Sequence, residues 1–566
     1  MAFQVSPGVQ VKEIDATNVV PAVSTSIGGF AGAFNWGPVD EVVDVSSEQI
    51  LADKFGKPDA NTAKYFLTAA SFLKYGNALK VVRCGTTNLN ASAGGTGILV
   101  KNDTHYESVS FTYGQHGEFV ARHPGVLGNS IKVSYVTAGV SSGNYAAWAY
   151  DGEFDSAPGT STYATNLGKT SCNDEMHIIV IDEDGLITGT AGTILERFGF
   201  VSQGSDAKAD DGTSNYYKDV INQGSDYIRW AGHDSNLGEA GSAISSVAGG
   251  SFTTVTTVTN KSFTAGTDDN APTVGEIASG YDLLEDSETV DVNLLFAAPD
   301  ANGANTIAND LISIANARKD CMAFVSPPIE DTVNASTPAA DVKAFADTLT
   351  SSSYASVDST ALYVYDKYND VYRWIGASGH IAGLCANADR VADAWFSPAG
   401  VNRGQLLGVA KLAFNPIKAD RDTLYKARVN PIVSLPGQGT LLFGDKTLLS
   451  KPSAFDRINV RRLFNTLEKA ISTAAKAQLF EFNDEFTRAQ FRNMVEPFLR
   501  DVKGRRGLTD FLVVCDTTNN TGNVIDSNQF VADIYIKPAR SINFITLNFI
   551  ATRTGVDFTE IAGTSG

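Results

Sequence analysis

Long apolar stretches are missing from the 566-residue sequence, which nowhere contains eighteen consecutive apolar residues. A transmembrane helix needs about 20 predominantly apolar residues, so no membrane span is expected. The first residues, MAFQVSPGVQV, also lack a basic segment followed by a long apolar run. Signal peptides have that pattern, and secretion by one is therefore not expected either.

Cysteine is scarce, and the five cysteines are far apart in sequence and without CxxC spacing. A disulfide framework requires an even number of partners, and a zinc site requires closely spaced ligands. We therefore expect reduced, buried thiols in a protein made in a cytoplasm. The cysteines are Cys84, Cys172, Cys321, Cys385 and Cys515.

Positive charge is also in short supply, since 44 Lys and Arg residues stand against 63 Asp and Glu residues, for a net charge of −19. Binding to nucleic acid or to anionic lipid depends on an excess of basic residues. The sequence therefore predicts no general affinity for nucleic acid and no membrane anchoring.

Motifs for catalysis and metal binding are lacking as well. None of the six histidines has a histidine partner four residues away or lies in an HExxH frame, so surface or packed histidines are expected. The segment GQGTLLFGDKT (437–447) departs from a P-loop because Asp445 precedes its lysine, and it is predicted to form a strand and turn. The acidic loops 206–212 and 267–270 lack the ligand order of an EF-hand. We expect no catalytic residue, no metal site and no cofactor.

Alternating strand and helix patterns are present, in two separated regions. Residues 21–86 and 281–450 both show this alternation, which predicts one discontinuous α/β core domain. The intervening residues 87–280 are rich in Ser, Thr, Gly, Asn and Asp, and carry 9 basic and 22 acidic residues. Short alternating runs there predict β-rich surface domains inserted into the core domain.

Residues 451–551 predict a small α+β domain, so the whole chain is assigned to a multidomain α/β and α+β class. An amphipathic helix is expected over 459–481, and a shorter helix over 484–495 is expected to end before Pro497. Strand-like runs follow at 511–515, 530–536 and 542–550. Three strands leave sheet edges that something must cover. The candidate acceptor-sheet residues on them are Phe511, Val513, Ile534, Ile536, Phe544 and Ile545.

The N-terminal residues 1–20 form an extended pattern with no partner strand nearby in sequence. A frayed terminus is one interpretation. The other is an arm that adds a strand to a neighbouring copy, because a lone strand and an open-edged sheet both have unpaired backbone groups. The apolar residues of this candidate inter-subunit arm are Val5, Val9, Val11 and Ile14.

Several blocks of sequence form an ordered set along the chain. The N-terminal region contains PGVQVKEID (7–15), IGGFAGAFNWGP (27–38), FGKP (55–58) and FLKYGNALKVVR (72–83). The middle region contains ARHPGVLGNSIKV (121–133), ILERFGFVSQ (194–203) and YYKDVINQGSDYI (216–228). The C-terminal half contains SGHIAGLCANAD (378–389), SPAG (397–400), RVNPI (428–432) and INVRRLFNTLEKAI (458–471). Together they resemble the contractile tail sheath proteins of phages, in particular the T-even-like branch, nearly from end to end.

The resemblance implies a virion subunit, assembled in the host cytoplasm, that polymerises as stacked helical rings around an inner tail tube. Residues 87–280 would be outer modules, 451–551 a tube-facing domain, and 1–20 and 552–566 extended arms. The expected partners are further copies of the chain, the inner tail tube protein, and the baseplate and tail terminator proteins. Contraction from a metastable extended lattice would drive the tube through the host envelope during genome ejection.

One helical face is the candidate for a weak grip on the tube, formed by Arg461, Arg462, Lys469 and Lys476. A mixed-charge helical face is also commonly just solvated, and exposed ion pairs contribute only ~0 to 1 kcal/mol each. Arg461 and Arg462 are equally compatible with buried ion pairs inside the domain.

Three alternatives stay open at this point. The chain could form the sheath of a phage-derived contractile injection device. A virion-associated host-recognition β-module would use the acidic middle region as a binding surface and form monomers or trimers. An α/β enzyme would need a pocket with converging titratable groups, which the sequence does not indicate.

Overall fold

The structure, a computed structural model, describes residues 23–233, 246–249, 252, 255–299 and 303–543. The chain divides into two compact units with the boundary between Phe482 and Asn483. Residues 451–482 lie in the larger of these two units. The five-part division of the chain given above stays a prediction.

The larger unit begins with a strand–helix–strand arrangement, as expected for the start of an α/β domain. Its elements are β1 (Gly28–Gly32), β2 (Val42–Val45), α1 (Glu48–Phe55), α2 (Ala63–Leu73) and β3 (Leu79–Arg83). Helix α1 begins where the Ser47 hydroxyl accepts a hydrogen bond from the Ile50 N–H at 3.2 Å. Helix α2 is apolar over most of its surface and is almost entirely buried.

A second set of elements lies between β3 and residue 274. It comprises α3 (Asp103–Tyr106), α4 (Tyr113–His116), β4 (Phe119–Ala121), β5 (Ile131–Thr137), α5 (Ser142–Ala146), α6 (Thr162–Asn166), β6 (Glu175–Asp182), β7 (Thr193–Ser202), α7 (Tyr217–Gly224), β8 (Ile228–Trp230) and β9 (Thr259–Ser262). Strands β7, β6, β5 and β9 form an antiparallel sheet in that order. The central strand β6 is buried on both faces, since Met176 and Ile178 pack in one apolar cluster and Ile179 and Ile181 in another.

The chain then returns to the first set of elements. The remaining elements of the larger unit are α8 (Val274–Asp282), β10 (Leu294–Phe296), α9 (Ala304–Arg318), β11 (Met322–Val325), α10 (Pro338–Asp347), β12 (Ala355–Asp358), β13 (Leu362–Asp366), β14 (Val371–Ile375), α11 (Ser378–Val391), β15 (Val409–Leu412), α12 (Lys418–Lys426), β16 (Val429–Asn430), β17 (Ile432–Leu435), β18 (Gly439–Leu442) and α13 (Ile458–Ala475).

A seven-stranded sheet joins the two separated regions, in the order β16, β12, β11, β10, β1, β3, β2. All neighbours are parallel except β2, which runs antiparallel to β3 at the edge. Strand β1 pairs with β3 on one side and with β10 on the other, so residues about 260 positions apart lie next to each other, as Gly28 and Leu294 do. A core interrupted by a long insertion requires this kind of pairing.

Glycines in β1 allow side chains to approach the strand closely from both faces of the sheet. A Cβ on Gly28 would lie 2.9 Å from atoms of Phe72 and Leu79, and one on Gly29 would lie 2.8 Å from Val292. Successive residues of a strand point to opposite faces. The sheet is therefore covered on both faces, by α2 and α11 on the Gly28 side and by α8 and α9 on the Gly29 side.

The smaller unit contains a long helix and a β-hairpin. Its elements are α14 (Glu485–Gly504), β19 (Leu508–Val514), α15 (Gly522–Asp526) and β20 (Asp533–Pro538). Helix α14 begins where the Asp484 carboxylate accepts a hydrogen bond from the Thr487 N–H at 2.8 Å.

The prediction that this helix ends before Pro497 is wrong, because α14 continues to Gly504 with Pro497 inside it. An internal proline costs about 3 kcal/mol. Buried apolar residues continue at helical spacing on both sides of it, namely Val495, Leu499 and Val502. Burial of each such side chain contributes about 1.5–3 kcal/mol, which offsets the cost of the proline.

Other boundaries in this region also differ from the predicted ones. Helix α13 ends at Ala475, before the expected 481, and β19 begins three residues earlier than the run 511–515. Most of the third strand-like run, 542–550, lies outside the described residues. The coarse expectation of a mixed α/β multidomain chain with several sheets is confirmed.

Candidate functional site

The hairpin of β19 and β20 brings together four of the six candidate acceptor-sheet residues. Phe511 lies opposite Ile536, and Val513 lies opposite Ile534. Because side chains alternate along a strand, these four residues share one face. Leu512 and Tyr535 lie on the other face, where they are 57% and 60% exposed. The remaining two candidates, Phe544 and Ile545, lie outside the described residues.

The outer edges of this hairpin carry no further strand in the part of the chain that the structure describes. There, β19 pairs with β20 and with no other strand, and the same holds for β20. An open edge presents a row of N–H and C=O groups that can pair with another chain. A two-stranded sheet is also only marginally stable alone, and it gains stability from α14 packed on β19.

The candidate arm residues Val5, Val9, Val11 and Ile14 lie outside the described residues, as does the C-terminal segment 552–566. Their assignment to inter-subunit arms stays a prediction.

The expectation of an exposed basic face on α13 is wrong for Arg461 and Arg462, which are both 4% exposed. The Arg462 guanidinium forms an ion pair with Asp389 at 2.7 Å and donates to the Cys385 carbonyl at 3.1 Å. Burial lowers the pKa of Arg462, but the Asp389 carboxylate outweighs this effect and leaves the pKa above its ordinary value. Arg462 thus forms a buried ion pair inside the subunit, which was the alternative interpretation of this residue.

Arg461 is buried against aromatic rings. Its guanidinium carbon lies 4.3 Å from the ring centroid of Tyr354 and 4.2 Å from that of Phe455. A cation over an aromatic face is attracted by the ring quadrupole. Burial lowers the pKa of Arg461. Sequence reasoning missed both arginine environments because their partners are remote in sequence.

The two lysines of the predicted basic face also differ from each other. Lys469 forms an ion pair with Asp291, and its ammonium group donates to the Ser24 carbonyl at 3.4 Å. Lys476 lies just after α13 and is exposed. Of the four basic residues proposed for the tube, Lys476 is therefore the one whose side chain is exposed on this subunit.

A buried carboxyl group lies at the carboxyl end of the parallel sheet, where α/β enzymes place their active sites. Asp358 accepts a hydrogen bond from the Ser326 hydroxyl, and Ser326 in turn accepts one from the Ser378 N–H at 2.9 Å. Burial raises the pKa of Asp358 to about 7. All three residues are buried, so this network ties β11, β12 and α11 together and is closed to a substrate.

The segment 437–447 begins in the turn between β17 and β18 and continues as β18, so the predicted strand and turn are confirmed. Strands β17 and β18 are antiparallel, and Asp445 lies 3.7 Å from the Arg457 guanidinium and accepts a hydrogen bond from the Ser397 hydroxyl. The Lys446 ammonium donates to the Tyr425 carbonyl at 2.7 Å. Lys446 and Asp445 thus contact other residues of the same subunit, and they are not arranged as in a phosphate-binding loop.

The described ranges contain neither a metal-binding cluster nor a membrane-spanning helix. Within them, no three His, Cys, Asp or Glu side chains lie where they could share a metal ion. Among the same residues, no helix combines the length and apolar character needed to cross a bilayer.

Two exposed apolar features escaped sequence reasoning. At the end of the larger unit, Phe480 and Phe482 are 104% and 83% exposed. The signal was available in the sequence as LFEF (479–482), at the end of the predicted helix 459–481. On the sheet of β13, β14 and β15, the rings of Tyr363 and Tyr372 are stacked with centroids 5.3 Å apart. Large exposed apolar groups mark interaction surfaces when they cluster.

Family models match most of the chain in three pieces. Residues 25–84 match the N-terminal region of domain III of tail sheath protein Gp18, residues 270–448 match the phage tail sheath protein central domain, and residues 450–552 match the phage tail sheath C-terminal domain.

Full-length relatives share about a third of their residues with this chain. The tail sheath protein of Enterobacteria phage T4 is 34% identical over 660 residues, with 99% of each chain covered. The tail sheath protein of Vibrio phage KVP40 is 35% identical over 691 residues, again with 99% of each chain covered. The tail sheath protein of Salmonella phage ViI is 32% identical, with 100% of this chain and 99% of the relative covered.

Solved structures show the same fold at much lower identity. A sheath tail protein from Listeria innocua has a TM-score of 0.53 at 12% identity and covers 92% of this chain and 96% of its own. The contracted helical sheath of the anti-feeding prophage has a TM-score of 0.52 at 14% identity and covers 97% of this chain and 100% of its own.

Proposed function

The chain belongs to the phage tail sheath protein family, and we propose that it polymerises by adding its terminal segments to the sheets of neighbouring copies. It is a structural subunit of a contractile tail sheath and a component of the phage virion. The assignment made from the sequence blocks is thereby confirmed.

The observation that carries the proposed joining of copies is the open-edged hairpin of β19 and β20. Its strands align Phe511 with Ile536 and Val513 with Ile534, and its outer edges are unpaired among the described residues. An extended segment that adds a strand there gains backbone hydrogen bonds and covers apolar side chains. The segments proposed to do so are residues 1–20 and 552–566 of adjoining copies.

Strand addition of this kind joins two subunits stably and still allows them to move relative to each other. Each pairing would form about four to six backbone hydrogen bonds, each contributing roughly 1 kcal/mol net. The joint depends on an extended segment, so the compact parts of neighbouring subunits can rotate and slide while the segment stays paired. Repeated through a helical lattice, such joints hold the polymer together during a large rearrangement.

Energy for contraction is proposed to come from the extended lattice itself, assembled in a metastable state and released once on triggering. This chain would then need no nucleotide of its own. The contacts of Asp445 and Lys446, which serve the interior of the subunit, agree with that expectation.

The exposed phenylalanines Phe480 and Phe482 support a further contact with a second copy of the chain. Leaving two such rings in water on an isolated subunit forgoes about 1.5–3 kcal/mol of burial for each. Burial against another subunit would recover that energy. A repeated contact of this kind suits a polymer of identical subunits.

The inner tail tube protein is the proposed partner of residues 451–551, and the baseplate and tail terminator proteins are the proposed partners at the two ends of the polymer. Assembly is proposed to occur in the host cytoplasm. Lys476 is the basic residue that we retain as a candidate for the tube contact, because it is exposed.

Deletion of residues 1–20 tests the proposed joining of copies. The truncated chain should fold, because it keeps β1 and every other strand of the seven-stranded sheet, and it should fail to form tubes visible by electron microscopy. A matched variant of full length, with Val5, Val9, Val11 and Ile14 replaced by serine, should fail in the same way. A Leu186→Ser variant alters an exposed leucine in the insertion and should form tubes normally.

Polymerisation of the truncated chain as efficiently as the full chain would refute strand addition by this segment. Discrete particles formed by the full chain under all conditions would instead favour a host-recognition module. Tubes are also expected of a phage-derived injection device, which the presence or absence of a genome-filled head on the same particles would distinguish.

A further inference from the structure

The first residues that the structure describes are attached to α13 by a buried ion pair. The Arg462 guanidinium donates to the Thr25 carbonyl at 3.1 Å and to the Asp389 carboxylate at 2.7 Å. The Thr25 hydroxyl donates to the same oxygen of Asp389 at 2.6 Å. Backbone and side chain of Thr25 are thus both held, by residues from α13 and α11.

A second attachment lies one residue earlier in the chain. The Lys469 ammonium donates to the Ser24 carbonyl at 3.4 Å and forms an ion pair with Asp291. Lys469 lies two turns after Arg462 on α13, so both contacts come from the same side of this helix. Asp291 lies just before β10, so Ser24, α13 and the start of β10 are joined at one place.

From here the chain enters the middle of the seven-stranded sheet. The N–H groups of Asn293 and Leu294 both donate to the Ile27 carbonyl, at 2.9 and 3.0 Å, and the Gly28 N–H donates to the Ala78 carbonyl at 2.9 Å. Strand β1 then runs between β10 and β3, parallel to both. A pull on the chain before Ser24 would therefore load the α13 contacts first and β1 next.

We propose that Arg462, Asp389 and Lys469 attach the N-terminal segment to the core. Through them, a mechanical load on that segment is transmitted into the seven-stranded sheet. We call Ser24, Thr25, Asp291, Asp389, Arg462 and Lys469 the N-terminal junction. The load-bearing role rests on the proposed strand addition by residues 1–20. The attachment itself is a property of the single subunit and is testable without any polymer.

The chemistry of the junction suits this role. Hydrogen bonds that involve charged groups are roughly twice as strong as neutral ones. Arg462 spreads its donors over the Thr25 carbonyl, the Cys385 carbonyl and Asp389, so a displacement of Thr25 disturbs several bonds at once. The pair is almost fully buried, which protects it from screening by salt.

Hydrogen exchange of the unassembled full-length chain tests the attachment. Arg462→Lys keeps the charge but cannot reach three acceptors in the same geometry, and Thr25→Val removes one donor without changing any charge. Both variants should speed amide exchange in a peptide covering residues 23–29 by about tenfold, because local opening becomes easier. The matched control is Arg373→Lys, which alters another arginine that donates to a buried carboxylate, Asp366, and should leave this peptide unchanged.

Unchanged exchange in residues 23–29 for Thr25→Val would overturn the attachment. This variant keeps the test decisive if Arg462→Lys does not fold, since Thr25 is only half-buried and its replacement has nearly the same shape.

Resistance of assembled tubes to shear tests the transmission of load. Thr25→Val subunits should form tubes that break at lower shear than wild-type tubes, whereas Arg373→Lys tubes should match the wild type. Faster exchange combined with unchanged shear resistance would overturn the load-bearing role. Normal polymerisation of the chain lacking residues 1–20 would refute the strand addition instead. Hydrogen exchange in residues 23–29 would still test the attachment within the single subunit.

Discussion

Three of the buried arginines, Arg83, Arg318 and Arg462, donate to backbone carbonyls of segments that are distant in sequence. Arg83 donates to the carbonyls of Gly37 and Pro124, at 2.9 and 2.6 Å. Arg318 donates to the carbonyls that precede β10, including that of Leu284. A buried charge without partners costs several kcal/mol, so each arginine stabilises the one arrangement of segments that satisfies it.

Replacement of Asp358 by asparagine should change how stability depends on pH. Burial raises the pKa of Asp358 to about 7 in the folded state, whereas an exposed aspartate titrates near 4. The folded state therefore holds a proton that the unfolded state loses between about pH 4 and 7, and stability falls as pH rises through that window. Asp358→Asn should remove up to about 4 kcal/mol of this decrease in the free energy of unfolding. Urea unfolding of the unassembled chain at pH 4.5 and 7.5 measures the difference.

Asp182→Asn is the matched control with the opposite sign. Burial raises the pKa of Asp182, but hydrogen bonds from the Thr188 N–H and from the hydroxyls of Ser130 and Thr188 outweigh it and lower the pKa below its ordinary value. This carboxylate therefore contributes stability above about pH 4 that is lost on acidification. Its replacement should destabilise the chain about equally at pH 7.5 and pH 4.5, since the carboxylate is ionised at both, and by less near pH 2.5. A change between pH 4.5 and pH 7.5 as large as that of Asp358→Asn would contradict both assignments.

At the scale of elements, the hairpin of β19 and β20 differs from the central strands of the seven-stranded sheet. Strand β1 has parallel neighbours on both sides and helices on both faces, whereas β19 has one described strand neighbour and leaves Leu512 exposed. A fully covered strand is a structural element of one subunit. A half-covered strand with an open edge is suited to joining two subunits.

Leu512→Lys tests this distinction within β19. A lysine on an edge strand discourages addition of another strand, and at a site already 57% exposed it should change the free energy of unfolding of the subunit by less than about 0.5 kcal/mol. Polymerisation followed by light scattering should be strongly reduced. Leu186→Lys, at a leucine that is 58% exposed in the insertion, should polymerise normally, and equal inhibition by both variants would argue against a specific role for β19.

At the scale of the whole molecule, the insertion is attached to the core by a paired neck. The chain entering it and the chain leaving it exchange hydrogen bonds between Leu89 and Thr267, and again between Ser92 and Thr264. Arg83 lies at the base of this neck, 3.9 Å from the Asp268 carboxylate. The paired neck brings the entering and leaving chains together, so the antiparallel sheet of the insertion packs on an apolar cluster of its own without interrupting the seven-stranded sheet.

The two compact units should unfold in separate transitions. All five tryptophans precede residue 483, so tryptophan fluorescence reports only on the larger unit, whereas far-ultraviolet circular dichroism also reports on α14. Chains with more than one compact unit commonly depart from two-state unfolding. In urea, the two signals of the unassembled chain should have different midpoints, and a Phe530→Trp variant should add a fluorescence transition that the wild type lacks. Coincident midpoints for all signals would show that the units unfold together.

Local pattern was sufficient for the coarse features of this protein. Apolar spacing predicted the α/β alternation on both sides of the insertion, and Asp445 in GQGTLLFGDKT favoured a strand and turn over a phosphate loop. Such features depend on the repeat of the chain's own helices and strands, so a window of a few residues contains the signal. The ordered sequence blocks likewise identified the sheath family before any fold was known.

Contacts between remote residues decided the rest. Arg462 is buried because Asp389, 73 positions earlier, and Thr25 supply its partners, and no window around α13 contains them. Helix α14 passes through Pro497 because burial of its apolar face outweighs the local preference of one residue. Tertiary burial and pairing involve larger free energies than local propensity, and they are set only when the chain has folded.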